Sequence, residues 1–270
     1  MPSNGFEGKS AVITGGASGI GRALGYEFAE RGARVGLLDM DGDGAAATAR
    51  ALSQKGLTAI GLPCDVTSEQ ECQTAISAVQ SEFGGIDVLV NNAGITLREA
   101  FVDTQVAAYR KVMDVNFFGA LNCTRVAIPS LIENRGMVIV MSSIAGFAPV
   151  LGRSGYCASK YALHGLFDTL RIELSGQGVH VMMVCPTFVK TNLQTRALGG
   201  DGRVTSHPQS TLGKLETPEQ TAREIYAAAL KKKRILIPTT MGKAAFWLSR
   251  LFPALYDRVV ARQFKTELMR

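Results

Sequence analysis

The chain has three histidines, one tryptophan and five cysteines among 270 residues. Cys64, Cys72, Cys123, Cys157 and Cys185 are odd in number and scattered, with no Cys-x-x-Cys pair and no histidine cluster beside them. That pattern argues against a disulfide framework and a zinc site, and fits free thiols in a reducing cytoplasm. No run of about eighteen apolar residues occurs, so no segment is predicted to span a bilayer. The start, Met1-Pro2-Ser3-Asn4-Gly5-Phe6, lacks a basic stretch leading into an apolar one and lacks a lipidation pattern, and so reads as unprocessed. No stretch is polar and repetitive enough to stay disordered, and 46% apolar with 19% charged residues is ordinary globular usage. The length suits one α/β unit rather than two full domains.

The formal net charge of +6 is unevenly placed. Residues 231–270 hold ten Lys/Arg against Asp257 and Glu267, a net +8, whereas the 230 residues before them hold nineteen basic against twenty-one acidic. The basic character therefore belongs to the C-terminal tail. Its first part, Lys231-Lys232-Lys233-Arg234, has no interleaved aromatics and ends a helical pattern where cations suit the dipole, so nucleic acid is not an expected partner.

Short aliphatic runs alternate with helix-length segments nearly from end to end, the pattern of a parallel sheet covered on both faces. Seven strands are predicted, at Ser10–Thr14, Arg34–Asp39, Thr58–Cys64, Asp87–Asn91, Met137–Ser142, His180–Cys185 and Ile235–Pro238. A helix opens at Thr67-Ser68-Glu69, where Thr67 or Ser68 can cap it. Right-handed crossovers give a doubly wound (Rossmann) α/β sheet with ligands at the carboxyl ends of the strands. The main body spans residues 1–240 and includes an aperiodic segment, 192–216, read as a mobile substrate loop. A helical extension occupies 241–270, where Pro253 divides two helices. Leu248, Leu251, Phe252 and Leu255 form one stripe there, which Val259, Val260 and Phe264 continue.

The first strand runs into Thr14-Gly15-Gly16-Ala17-Ser18-Gly19-Ile20-Gly21 at the start of a helix. Glycine there permits a tight turn and lets a pyrophosphate approach the helix N-terminus, whose N–H groups and dipole attract anions. Gly15, Ser18, Gly19, Ile20 and Gly21 are thus candidate dinucleotide contacts. Asp39 ends the second strand 18 residues after Gly21, where a carboxylate can accept both hydroxyls of an adenosine ribose and would repel the phosphate of NADP. Neither Ser18 nor Met40 supplies a cation, so NAD is the predicted cofactor. Later strand ends add Asp65, placed to bond the adenine amino group, with Val66, and then Asn92, Ala93 and Gly94 as a backbone wall. Asn91 stays outside this set, as it can instead tie two strands together.

Tyr156 and Lys160 stand at i and i+4 on one helix face. A phenol of pKa about 10 is a poor base near neutrality, but an adjacent ammonium and a cationic nicotinamide favour phenolate. Tyr156 can then accept an alcohol proton as hydride leaves the same carbon, or return it to a carbonyl oxygen. Lys160 can also hold the nicotinamide ribose. Ser143, thirteen residues before Tyr156, can bond the substrate oxygen as charge grows on it. Asn116, an amide within a helical run, is assigned a water-mediated proton relay to Lys160.

Jointly these features resemble the classical short-chain dehydrogenase/reductase family. The turn at 14–21, Asn91-Asn92-Ala93-Gly94, Asn116, Ser143 and Tyr156 through Lys160 match its motifs in order and spacing, over roughly residues 8–240. The resemblance implies an NAD-dependent oxidoreductase acting on CH–OH groups. It also implies a homodimer or homotetramer built through helices near 104–134 and 154–176. One departure is Thr187, where the family commonly has glycine after proline; Pro186, the Val189 backbone and the Thr191 hydroxyl remain candidate contacts for the nicotinamide carboxamide.

Ile95, Ala145, Phe147, Leu151 and Phe188, expected near the reacting carbon, carry no charge. An apolar, lipid- or steroid-like alcohol or ketone is therefore the expected substrate, held by Ser143, Phe147, Tyr156 and Phe188. Lys190, Arg196 and Arg203 leave open an anionic 3-oxoacyl thioester, against which Asp39 stands because the family's ketoacyl reductases usually take NADPH. A cofactor-binding protein without turnover is a third reading, disfavoured by the complete Ser–Tyr–Lys set. For the tail, packing on the body or on a partner subunit is the simpler expectation. Its net positive charge with Phe246, Trp247 and Phe252 leaves peripheral contact with an anionic bilayer as the other.

Overall fold

The computed structural model describes residues 5–205 and 215–263. Seven strands, β1 (Ser10–Thr14), β2 (Arg34–Asp39), β3 (Ala59–Pro63), β4 (Val88–Asn91), β5 (Met137–Met141), β6 (His180–Val184) and β7 (Ile235–Leu236), form one parallel sheet in the order β3-β2-β1-β4-β5-β6-β7. This is the doubly wound fold that the alternating pattern predicts. The strands lie within two residues of their predicted limits; β7 stops short of Pro238, which has no N–H for the ladder. β1, β4 and β5 are buried along their whole length, as strands covered on both faces must be.

Alternation along each strand separates two cores. Ala11, Ile13, Val35, Leu37, Val88 and Val90 face α1 (Gly19–Glu30), α2 (Gly42–Ser53) and α7 (Pro218–Leu230), which supply Leu24, Phe28, Leu52 and Ile225. Val12, Leu38, Leu89, Val138 and Val140 face the other way, against Ile76 and Val79 of α3 (Glu69–Phe83), Cys123 and Leu131 of α5 (Gly119–Glu133), and Leu163 and Phe167 of α6 (Ser154–Glu173). Side-chain caps mark several helix starts: among them, Ser68 accepts from the Glu71 N–H at 3.2 Å, and Thr217 accepts from the Gln220 N–H at 3.2 Å with Pro218 in the first turn.

α4 (Val106–Met113) runs through a π turn (Asp114–Phe118) into α5 as one helix, Val106–Glu133, long and apolar enough by length and composition to cross a membrane. Its apolar residues Cys123, Ala127 and Leu131 are buried against the sheet. β1 has β2 on one side and β4 on the other, so the winding direction reverses between β1 and β4 and a crevice opens above their carboxyl ends.

The segment read as a mobile loop is tied down over its first half. Leu198 N–H donates to Thr96 O, Arg98 N–H to Leu198 O and Gln105 N–H to Gly200 O, at 2.8–2.9 Å, which seats residues 197–200 in buried positions. Residues 206–214, its middle, lie outside the described residues.

The tail forms α8 (Thr240–Leu251) and α9 (Pro253–Gln263), divided at Pro253 as predicted. The predicted single stripe is split, however. Ala245, Phe246, Leu248, Tyr256 and Val260 pack on Phe147, Ala148 and Cys185, while Leu251, Phe252 and Leu255 turn outward. The split falls within α8, before Pro253: Leu248 packs inward, whereas Leu251 and Phe252 at the end of that helix are exposed, and Leu255, across Pro253, is exposed with them. Phe264 lies outside the described residues.

Phe28 is fully buried, 5.3 Å from the Phe6 ring and 5.0 Å from that of Tyr226. Phe28→Ala is expected to lower the unfolding free energy by about 3–5 kcal/mol in urea titrations; a loss below about 1 kcal/mol would show that this cluster does not hold α1 to α7.

Candidate active site

At the end of β1, Thr14 Oγ1 accepts the N–H groups of Asn92 and Ala93, both at 3.0 Å, and the Asn92 amide returns a bond to Thr14 O at 2.8 Å. This lacing holds the glycine turn over the crevice. Gly15 has φ +69°, and a Cβ on it would meet Asn92 Nδ2 at 2.7 Å. A Cβ on Gly21 would fall 2.0 Å from Gly15 O, so only glycine lets α1 begin this close to the turn. Ser18, the residue before α1, makes no side-chain cap bond, which leaves the N–H groups of the first turn to an anion. These features fit a pyrophosphate cradle.

Asp39 is fixed by two backbone donors, with Ala17 N–H on Oδ2 and Asp41 N–H on Oδ1, each at 3.0 Å. Each oxygen keeps a lone pair for a ribose hydroxyl. The carboxylate thus serves the local turn and faces the cleft as well. Asp65 Oδ1 accepts both the N–H and the hydroxyl of Thr67, at 2.9 and 2.8 Å, which orients it on the cleft wall beside Val66. Asn91 does not join two strands. Its Nδ2 donates to Thr124 Oγ1 at 2.8 Å and so ties β4 to α5.

Tyr156 and Lys160 project from α6 into the same cleft, with Nζ 5.6 Å from the phenol ring centre. Lys160 is buried and donates to Met141 O at 2.8 Å. Tyr156 is hydrogen-bonded to Ser143, whose Oγ also accepts the Ala145 N–H at 3.2 Å. Burial pushes the Tyr156 phenol up to about 12, opposed by the Ser143 bond and the charge of Arg153. Burial also draws the Lys160 ammonium down to about 8. The lowering of Tyr156 expected from its lysine neighbour is therefore not present in the protein alone, where desolvation is the largest influence on the phenol.

Asn116 sits in the π turn of the long helix, a widening that recurs at functional sites. Its Oδ1 accepts the Ile95 N–H at 2.8 Å, and its Nδ2 donates to Ile95 O and to Ser159 Oγ, both at 2.9 Å. The side chain is thus a clamp between the strand β4 loop and α6. Gly94 lies between it and Lys160: a Cβ there would stand 3.1 Å from Asn116 Oδ1 and 3.7 Å from Lys160 Nζ.

Cofactor candidates Gly15, Ser18, Gly19, Ile20, Asn92, Ala93, Gly94, Pro186, Val189 and Thr191 line one cleft of about 1000 Å³ together with Asp39, Asp65, Ser143, Tyr156 and Lys160. Gly21 stands behind the turn. Of the substrate candidates, Ile95, Ala145 and Phe188 are on the wall. Phe147 is not: its ring packs against Phe246 at 5.1 Å and supports α8 from behind. Val150 takes the wall position expected of Leu151, and of the three cations considered only Arg196 reaches the cleft.

Three participants were not read from sequence. Thr14 resembles any β-branched strand residue. Arg153, buried on the cleft wall, precedes the first residue of α6, where a cation opposes the helix dipole; that misfit was the available signal. The third is the tail itself, because Met241, Ala244, Ala245, Leu248, Val259 and Val260 close the far end of the cleft. Thr187, the departure from the family pattern, accepts from the Thr239 hydroxyl at 3.4 Å, and Thr239 caps α8.

A family model described as short chain dehydrogenase matches residues 9–199. The chain is 33% identical to a dehydrogenase/reductase SDR family member 7B of Danio rerio, over 97% of this chain and 87% of that protein. It is 34% identical to the Bos taurus protein of that name, over 95% and 81%. Among solved structures, a short chain dehydrogenase/reductase from Burkholderia phymatum in complex with NAD superposes with a TM-score of 0.83 at 27% identity, covering 93% of this chain and 96% of that one.

The buried lysine yields a stability test. Its folded pKa of about 8 lies below the 10.5 of an unburied lysine, so the folded state resists the proton that the unfolded state keeps. The resulting penalty is full below pH 8 and disappears as pH rises through the unfolded value. Lys160→Met is expected to raise the melting temperature by a few degrees at pH 7, with the gain shrinking toward pH 10.5. A gain independent of pH would show that the ammonium is not penalised by burial.

Proposed function

The chain belongs to the short-chain dehydrogenase/reductase family of oxidoreductases, and on that premise we propose that it transfers hydride between NAD(H) and an apolar secondary alcohol or ketone, with Tyr156 as acid/base. The observation that carries this reading is the meeting of Ser143, Tyr156 and Lys160 in a cleft whose glycine turn fits a dinucleotide and whose far wall is aliphatic. When bound, the nicotinamide supplies or takes up the hydride. Ser143 holds the substrate oxygen by hydrogen bonding, and Tyr156 accepts the carbinol proton or returns it to the carbonyl oxygen. Lys160 holds the ribose hydroxyls and places a cation beside the phenol. A second positive charge on the cofactor side offsets the burial that otherwise keeps Tyr156 protonated.

Asp39, with Met40 and Asp41 beside it on the cleft wall and no cation among these neighbours, supports NAD over NADP. The NAD held by the Burkholderia phymatum neighbour agrees with that choice. Assembly as a homodimer or homotetramer is supported by large apolar side chains left exposed on the long helix and α6: Phe118, Tyr161 and Ile172. Arg153 and Arg196 on the wall favour a second reading, in which the substrate carries an anionic group as a 3-oxoacyl thioester does.

A screen of hydrophobic alcohols, ketones and 3-oxoacyl thioesters, following NADH and NADPH separately by absorbance, tests the assignment. Turnover of a neutral apolar substrate with NADH is expected, and Tyr156→Phe should abolish it by about a hundredfold or more while NAD binding persists. Exclusive use of a thioester would move the assignment to the second reading, and retained activity in Tyr156→Phe would refute the acid/base role. Asp39→Ser should weaken NADH affinity and relax discrimination against NADPH; an NADPH preference in the unaltered protein would overturn the cofactor choice.

A further inference from the structure

The outward face of the tail has an apolar stripe that none of the described residues covers. Trp247, Leu251, Phe252 and Leu255 are 50–62% exposed. Trp247 is not loosely hung, since its ring stacks edge-on against Phe246 at 5.4 Å. Lys243, Arg250, Arg258 and Arg262, all exposed, border the stripe, with Asp257 the single acid on α8 and α9. The Arg250 guanidinium lies 3.7 Å from the Phe246 ring centre and donates to Phe246 O, which places this cation beside Trp247.

We propose that this face docks on an anionic lipid bilayer. Tryptophan and aliphatic side chains rimmed by cations match the boundary between headgroups and acyl chains, and each cation adds attraction to a negative surface. A second copy of the chain is a poorer occupant, because a two-fold contact through this stripe would bring together two patches that each carry four cations and one acid. The inner sides of the same helices close the far end of the cleft, and Val259 is both on the cleft wall and 38% exposed. Docking would therefore set the helices that close the cleft against the bilayer, on the side from which an apolar molecule would come. Docking itself stands independently of the proposed turnover.

The test is flotation of the full chain with vesicles of phosphatidylcholine alone or mixed with phosphatidylserine. Binding is expected to the mixed vesicles, weakened by salt. Changing Trp247, Leu251, Phe252 and Leu255 together to serine should reduce partitioning by about tenfold or more, and Arg258→Glu with Arg262→Glu by about fivefold per cation removed. Far-ultraviolet circular dichroism of each variant separates loss of binding from loss of fold. No binding of the unaltered chain to mixed vesicles, equal binding to both vesicle types, or undiminished binding of the folded four-serine variant would each overturn the proposal. So would a dimer, measured by light scattering, that the four-serine variant abolishes while vesicles bind neither protein.

Discussion

The ligand end of this sheet depends on how β1 and β4 are joined. Both strands are wholly buried, so the backbone groups at their carboxyl ends need partners other than bulk water. Thr14 and Asn92 supply those partners to each other and to Ala93. The join turns Gly15 toward the cleft and leaves Ala17 N–H for Asp39. One step along the chain, the Ile95 peptide is bonded on both sides by Asn116, which also reaches Ser159, one residue before Lys160. The glycine turn, the Asp39 carboxylate and the helix bearing Tyr156 are thereby parts of one bonded system rather than three separately placed motifs.

That rigidity accompanies an electrostatic tension. Burial favours the neutral forms of both Tyr156 and Lys160, while the Ser143 bond and the Arg153 charge pull the phenol back toward ionisation. In a dry site each added charge acts strongly, since little water is present to screen it. A phenol kept protonated by burial therefore responds more to an arriving cation than an exposed one would. On the proposed reading, the phenol becomes reactive only once the cofactor side is filled.

Much of this was legible in the sequence because it depends on short-range signals. Continuous aliphatic runs mark strands covered on both faces, glycines mark the turn after β1, and the four-residue spacing of Tyr156 and Lys160 puts them on one face. What failed depends on direction and distance. The sequence did not show that Asn116, assigned to a relay, also clamps the Ile95 peptide to Ser159. Phe147 was assigned to substrate because it lies near Ser143 in sequence, but a tail helix remote in the chain draws its ring to the other side of the wall. Leu248, Leu251, Phe252 and Leu255 share one periodicity, yet only Leu248 meets the body and the other three are exposed, because periodicity does not say how much of a helix the body covers.

The tail also explains the one departure from the family pattern. Thr187 replaces the usual glycine, and its hydroxyl meets Thr239, whose own oxygen caps α8 by accepting the Gly242 N–H at 3.0 Å. The Thr187 methyl also faces Gly242, where a Cβ would come within 3.3 Å. Glycine at position 187 would remove both contacts. The segment carrying Pro186, Phe188 and Val189 is therefore fastened to the start of the helix that closes the cleft. Displacement of α8 would pull on the nicotinamide side of the site, so the tail and the residue that seemed a local exception belong to one structural adaptation.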